Sequence, residues 1–128
     1  MNTVSNQKLS RSQVFFTVTI PGLTRKDIPE LDENGTAHIE GSTDCSSYAY
    51  KFESAPAKKA AQHYSSEYAS YQYLMFILYL AAQYFVHDVF ITYNDDNNTV
   101  SFELDFGTEY EDHAERFYRY LFLKCNTI

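Results

Sequence analysis

Residues 71–86, with the sequence YQYLMFILYLAAQYFV, decide the fold, because only Gln72 and Gln83 interrupt an apolar and aromatic run. Upstream of this segment, apolar residues keep the i, i+3/i+4, i+7 spacing of one helix face back to Ala57. The pattern predicts one long central helix from about residue 56 to residue 87. Its second half is apolar on all sides, so other elements of the chain, a partner subunit or lipid have to enclose it.

A membrane span is the alternative for this segment, which is nearly long enough and carries tyrosines near both ends. The core of the run is only 14 residues long, 73–86, and no Lys or Arg follows it until Arg116. Such a short run is more typical of a buried core helix. The polar N-terminus followed by VFFTVTI also makes a poor signal-peptide core. We therefore expect a cytoplasmic protein without membrane association.

The length of 128 residues predicts a single domain, 1–128, with a hydrophobic core of its own. The composition, 45% hydrophobic with 12 Tyr, 10 Phe and no Trp, predicts a globular protein with a core built from rings. Cys45 and Cys125 are too few for a disulfide scaffold, so we expect both to be reduced. Residues 1–12 are polar and basic, and we expect them to form a flexible arm.

The charge of the chain is unevenly distributed. The net charge is 10 minus 17, or −7, yet residues 1–29 carry +3, so the remainder carries −10. Residues 88–115 contain nine carboxylates and no Lys or Arg. Such a field repels phosphate backbones and attracts basic partners, so we expect no direct binding of nucleic acid.

Alternating apolar residues and turn signals predict five strands, at residues 14–20, 36–40, 48–54, 89–93 and 99–106. The segment between the second and third strands, GSTDCSS at residues 41–47, reads as a polar loop that contains Cys45. Thr108 and Glu111 fit a capping box for a last helix. Its buried stripe consists of Tyr110, Ala114, Phe117, Leu121 and Cys125.

The predicted order is β-β-β-α-β-β-α, which indicates an α+β domain with an antiparallel sheet of about five strands packed on one long central helix. This order and the acidic charge are similar to the core of type III secretion chaperones. That resemblance implies a small protein-binding dimer that presents apolar surface to a client chain. The long N-terminal helix of those chaperones has no counterpart here beyond residues before Gln13. The apolar end of the last helix is also compatible with a homodimer.

Sites for metals and cofactors are poorly supported by the sequence. Asn94, Asp96, Asn98 and Asp105 fall at positions of a calcium-binding loop, but Thr99 stands where such a loop needs Gly. The four histidines, His38, His63, His87 and His113, have no spacing typical of a zinc site. We therefore expect no bound metal and no cofactor.

An enzymatic site is equally poorly supported. Cys45 is a candidate nucleophile in its predicted loop, but no nucleophile motif surrounds it. The tyrosines Tyr64, Tyr68 and Tyr71 are compatible with a pocket between helix and sheet, which leaves a small ligand-binding or catalytic domain as an alternative. Their helical spacing is more typical of a buried stripe. The chain is therefore interpreted as a non-enzymatic protein.

The remaining feature is a predicted acidic face that could receive a basic partner. It comprises Asp95, Asp96, Glu103, Asp105, Glu109, Glu111, Asp112 and Glu115. Complementary charge would speed association and set the register of a complex. We therefore expect a small acidic inhibitor, of the immunity protein, antitoxin or phage-encoded inhibitor type, that occludes a basic, nucleic-acid-handling protein.

Overall fold

A computed structural model describes residues 3–19, 24–53, 65–97 and 99–126 of the chain. Within these residues the elements are β1 (Thr3–Ser10), β2 (Gln13–Thr19), β3 (Thr36–Glu40), α1 (Gly41–Glu53), α2 (Ser65–Gln83), β4 (Asp88–Asn94), β5 (Thr99–Asp105) and α3 (Glu111–Asn126). Short 3-10 turns, Arg25–Asp27 and Thr108–Tyr110, precede β3 and α3. The predicted α+β class with a five-stranded antiparallel sheet is confirmed.

The sheet has the strand order β1-β2-β5-β4-β3, and every neighbouring pair is antiparallel. Alternate residues of each strand point to opposite faces. The inner face of β2, β3, β4 and β5 is buried, and Phe16 and Phe102 stack at its centre with ring centroids 5.0 Å apart. The described residues of the outer face are half-buried or exposed.

The helices cover the inner face of the sheet. Helix α1 packs along α2 and contacts β3 and β4, whereas α3 contacts β1, β2 and α2. In α2, Leu74, Ile77, Leu78 and Ala81 are fully buried, while Tyr79 remains 42% exposed. Other elements of the chain therefore enclose most of the described part of this apolar segment. None of the helices within the described residues is both long enough and apolar enough to cross a membrane.

Helix α2 ends four residues earlier than predicted, at Gln83. The amide of Val86 donates to the carbonyl of Ala81 and the amide of Phe85 donates to that of Ala82, at 3.1 and 3.0 Å. These two bonds form a Schellman motif, with Phe85 in the left-handed conformation at φ 59°. Residues 56–64, where the predicted helix begins, lie outside the described residues.

The predicted loop at 41–47 and the predicted strand at 48–54 are wrong, because residues 41–53 form α1. Gly41, at φ 80°, makes the turn from β3 into this helix. Ala49 is fully buried and Tyr50 is 67% exposed, whereas a strand would place Tyr50 on the same face as Tyr48 and Phe52. The stripe that faces the core has helical spacing: Cys45, Tyr48, Ala49 and Phe52.

Residues 3–10, predicted as part of a flexible arm, form the edge strand β1. It pairs with β2 from Thr3 opposite Thr19 to Ser10 opposite Gln13, with a register shift between Ser5 and Lys8. The sheet thus has five strands because β1 takes the place of the wrongly predicted third strand. The element order is β-β-β-α-α-β-β-α, which differs from the order that resembles secretion chaperones.

The other predicted strands are present, with bounds shifted by about one residue. Helix α3 begins at Glu111 after a 3-10 turn, so the predicted capping box from Thr108 is not formed as expected. Ala114, Phe117 and Leu121 are buried as predicted, whereas Tyr110 is 37% exposed. The side chain of Cys125 lies outside the described residues.

Candidate partner-binding site

The structure does not gather all eight predicted acidic residues on one face. Asp95 and Asp96 lie in the turn between β4 and β5, at one end of the sheet. Asp105 lies at the other end of β5, about 20 Å away at the usual rise of a strand. Glu115 lies in α3 and forms an ion pair with Arg119 at 2.6 Å.

Most of the others collect at the end of the sheet where β3 and β5 finish and β4 begins. Glu40 is opposite Asp88, and Asp88 is opposite Asp105, so three carboxylates form one row across β3, β4 and β5. The chain continues from these strand ends into α1, which carries Asp44, and into the turn that leads to α3. We call this region the acidic end; its residues are Glu40, Asp44, Asp88, Glu103, Asp105, Glu109, Glu111 and Asp112.

The carboxylates of the acidic end have unequal surroundings. Asp105 accepts from the amide of Gly107 at 2.9 Å and from the hydroxyl of Ser12 at 3.5 Å, so it holds the end of β5. Asp88 forms a hydrogen bond with His38 through its Oδ1. Among the described residues, Glu103, Glu109, Glu111 and Asp112 form no ion pair. Like charges directly opposite each other in a sheet are destabilising, so this row of carboxylates is a candidate site for a cationic partner.

The described strands bring few cations to the acidic end. Arg11 is exposed in the turn between β1 and β2, at the same end of the sheet but on its far side. Three strand spacings separate β2 from β3, about 14 Å in total. The side of the acidic end formed by β3 and β4 is therefore distant from Arg11 and has His38 as its nearest basic group in the strands.

His38 links the acidic end to an aromatic patch on the outer face. Its Nε2 lies 2.9 Å from Oδ1 of Asp88, and its ring stacks on Phe90 with centroids 4.3 Å apart and planes inclined by 2°. Phe90 is paired with Glu103, and Glu103 with Phe15. One row across four strands therefore carries an imidazole, two phenyl rings and a carboxylate on a face that the described helices leave open.

A cleft lies between the edge strand β3 and helix α1. Its volume is about 360 Å³. We call it the edge cleft, and its lining consists of Glu30, His38, Ile39, Glu40, Asp44, Ser47, Tyr48 and Lys51. Lys51 forms an ion pair with Glu30, and Nδ1 of His38 lies 4.0 Å from Glu40. The carboxylates thus outnumber the lysine three to one in this cleft.

Cys45 is not in a loop, and its thiol is not available as a nucleophile. It lies on the buried side of α1 with no exposed surface, and its Sγ donates to the carbonyl oxygen of Leu78 at 3.3 Å. Burial raises the pKa of the thiol from 9.0 to about 12, so the thiolate is scarce at neutral pH. Cys45 is therefore a core residue of α1 and not a residue of the predicted loop.

The residues that resemble a calcium loop form an ordinary strand connection. Oδ1 of Asn94 accepts from the amide of Asp96 at 3.0 Å, and Oδ1 of Asn97 accepts from the hydroxyl of Thr99 at 2.6 Å. Asn98 lies outside the described residues. No group of three potential metal ligands occurs within the described parts of the chain.

Two of the other histidines belong to an aromatic cluster near the start of α3. Nδ1 of His113 donates to the carbonyl of Tyr84 at 2.9 Å, and the rings of His87 and Tyr110 lie 5.9 Å apart. His63 and Tyr64 lie outside the described residues, as do the side chains of residues 68 and 71.

Comparison with known proteins identifies no relative. No protein-family model, no curated protein and no solved structure matches the chain. The function has to be inferred from the geometry described above.

The sequence analysis missed four residues of the edge cleft: Glu30, His38, Glu40 and Asp44. Asp44 was missed because α1 was interpreted as a loop and a strand. The signal for that helix is present, since Cys45, Tyr48, Ala49 and Phe52 follow the i, i+3, i+4, i+7 pattern. Glu30, His38 and Glu40 come together because β3 is an edge strand and the loop before it passes close to α1. No local pattern in the sequence predicts this arrangement.

Proposed function

We propose that the chain is a non-enzymatic protein-binding module that binds a basic protein through its acidic end. The observation that carries this proposal is the row formed by Glu40, Asp88 and Asp105 across three strands. Adjacent like charges are costly in a sheet, and a cationic partner would offset that cost. The partner class that fits is a nucleic-acid-handling protein, whose cationic surface the chain would occlude as a small inhibitor does.

The test compares two variants that remove the same charge at opposite ends of the sheet. Glu40→Gln with Glu111→Gln neutralises two carboxylates of the acidic end. Asp95→Asn with Asp96→Asn neutralises two in the distant turn and serves as the control. Each protein is immobilised, exposed to a lysate of the native host, and washed at low and then high salt.

We expect the wild type and the control to retain one basic protein in stoichiometric amount and to release it in high salt, because screening weakens attraction between exposed charges. The acidic-end variant should retain less of it, by up to about thirtyfold, since each of the two surface charges contributes up to about 1 kcal/mol. Equal retention by both variants, or capture of nothing at all, would contradict the proposal.

A second candidate is a chaperone-like dimer that binds an apolar client segment on the outer face of the sheet. The observation in its favour is a shallow depression of about 290 Å³ between Phe15 and Phe90, lined also by Thr17, Thr92, Ser101 and Glu103. Salt discriminates between the two candidates, because binding of an apolar client should not weaken at high ionic strength.

A further inference from the structure

We propose that the basic partner contributes an extended segment that binds as a sixth strand on the free edge of β3, within the edge cleft. This inference rests on the proposed function and adds to it the site and the conformation of the bound segment. Addition of a strand to an exposed sheet edge is a recurrent mode of peptide recognition.

The backbone of β3 shows which of its groups face the free edge. The carbonyl of Gly35 accepts from Tyr93 at 2.8 Å and the amide of Gly41 donates to His87 at 2.6 Å, so odd-numbered residues face β4. Peptide groups alternate in direction along a strand, so His38 and Glu40 face away from β4. Glu40 directly precedes α1, so its carbonyl accepts the first hydrogen bond of that helix. The amide and the carbonyl of His38 and the amide of Glu40 thus face the free edge.

The chain itself covers this edge only at its beginning. The amide of Asp32 donates to the carbonyl of Thr36 at 2.9 Å, as the first pair of a further strand would. The preceding residues then turn away at Glu30, which has a left-handed φ of 59°. Tyr48 holds this segment against α1, because its hydroxyl donates to the carbonyl of Pro29 at 2.7 Å. The described residues therefore leave the edge open from His38 to Glu40. The segment around Pro29 and Glu30 forms the side of the cleft opposite this edge.

The two edges of the sheet differ in how they discourage pairing with another chain. The edge strand β1 has an irregular register between Ser5 and Lys8, and such bulges are a usual protection of sheet edges. Strand β3 has a continuous register from Thr36 to Glu40 and contains neither Pro nor Lys. Its edge is therefore a regular template for a further strand.

The charge of the edge cleft selects the occupant. Glu30, Glu40 and Asp44 line it, and among the described residues Asp44 has no ion pair. Alternate side chains of an added strand would point toward α1 and toward the outer face. Those on the first side would approach Asp44 and Ser47, and those on the second would approach Glu40. A segment with Lys or Arg at alternate positions fits this arrangement.

The experiment uses an N-acetylated, C-amidated heptapeptide of alternating arginine and threonine, bound to the full chain. Two protein variants isolate the backbone contact. His38→Pro removes the edge-facing amide without removing a bond to β4, whereas His38→Thr removes the same imidazole and retains the amide. We expect the peptide to bind His38→Pro about tenfold more weakly than His38→Thr, the usual effect of one lost hydrogen bond with a steric clash.

A second measurement needs no protein variant. In amide hydrogen exchange followed by NMR, Ala37 and Ile39 should be protected with and without peptide, whereas His38 and Glu40 should become at least about tenfold more protected when it is bound. A peptide in which every backbone amide is N-methylated should give no such protection. Neither should an alternating glutamate and threonine peptide.

The outcomes separate this inference from the proposed function. If the basic peptide binds in a salt-dependent way but His38 and Glu40 gain no protection, or if the two His38 variants bind equally, the added strand is wrong and the acidic end remains a charge-led surface. If the peptide does not bind, the added strand is also wrong, and the host-lysate capture alone decides the proposed function.

Discussion

The thiol of Cys45 in α1 donates a hydrogen bond to the backbone carbonyl of Leu78 in α2, with Sγ and O 3.3 Å apart. Both residues are fully buried, and the bond joins the two helices. Burial raises the pKa of this thiol to about 12. Two measurable consequences follow for its reactivity and for the stability of the protein in alkali.

The first prediction concerns labelling of Cys45 by Ellman's reagent at pH 8. In a Cys125→Ser variant, so that Cys45 is the single thiol, the native protein should react at least about a hundredfold more slowly than the urea-unfolded protein, because the buried thiol is shielded from the reagent and its thiolate is scarce. Native labelling as fast as unfolded labelling would show that the thiol is accessible.

The second prediction concerns alkaline stability. The folded state keeps the Cys45 proton to about pH 12, whereas the unfolded state loses it near pH 9.0. The contribution is therefore fully present below pH 9 and is lost as the pH rises toward 12. In the Cys125→Ser background, the free energy of unfolding in urea should fall by about 1 kcal/mol more between pH 9 and 10 than in a further Cys45→Ala variant. Parallel slopes for the two proteins would contradict this assignment.

The third prediction concerns the end of α2, where Phe85 occupies the left-handed position that glycine usually takes in a Schellman motif. The Phe85 ring is 61% exposed and contacts His113. Phe85→Gly and Phe85→Ala lose the same ring, but only glycine relieves the backbone. Phe85→Gly should therefore be more stable than Phe85→Ala by about 1 kcal/mol in urea unfolding. Equal stability would show that this backbone position is not strained.

The fourth prediction concerns Gly107, which joins β5 to the turn before α3 at φ 82°. A Cβ at this position would lie 2.9 Å from the His87 ring. Gly107→Ala should lower the free energy of unfolding by about 1–2 kcal/mol through its backbone conformation, with a further loss from the clash. Adding His87→Ala should recover the part due to the clash. A double variant no more stable than Gly107→Ala would assign the whole effect to the backbone.

The fifth prediction tests whether residues 3–10 act as a strand or as a basic arm. Deletion of residues 2–10 should lower the free energy of unfolding by more than about 2 kcal/mol, because several ladder hydrogen bonds to β2 are lost. The control, Lys8→Gln with Arg11→Gln, removes the charges and keeps the backbone, and should stay within about 0.5 kcal/mol of the wild type. A deletion as stable as the wild type would favour the arm.

Helix α1 has a sequence pattern that is compatible with both a strand and a helix. Tyr48 and Phe52 satisfy both an alternating and a helical pattern, so they do not discriminate between strand and helix. Ala49 and Tyr50 do discriminate, since the structure buries the small residue and exposes the ring. Alanine is a weak hydrophobic signal in a sequence, and an exposed tyrosine is tolerated because its hydroxyl is solvated. The apolar pattern of these residues is therefore equally compatible with a strand and with a helix.

Strand β1 shows a different reason for failure. Its sequence, TVSNQKLS, has little apolar alternation, and Arg11 in the following turn adopts a left-handed conformation without being Gly or Asn. The strand forms because β2 offers it an edge. Pairing of this kind depends on the partner strand, which local patterns do not report.

The sequence by itself determined the fold class, the enclosed central helix and the strands β2, β3, β4 and β5, because the period of apolar residues reflects burial directly. It also determined that nine of the 17 carboxylates lie between residues 88 and 115. Only the tertiary structure decided that Glu40, Asp88 and Asp105 share a row while Asp95 and Asp96 lie apart. The physical reason is that distance along a chain says little about distance in space, which strand register and the turns between elements set.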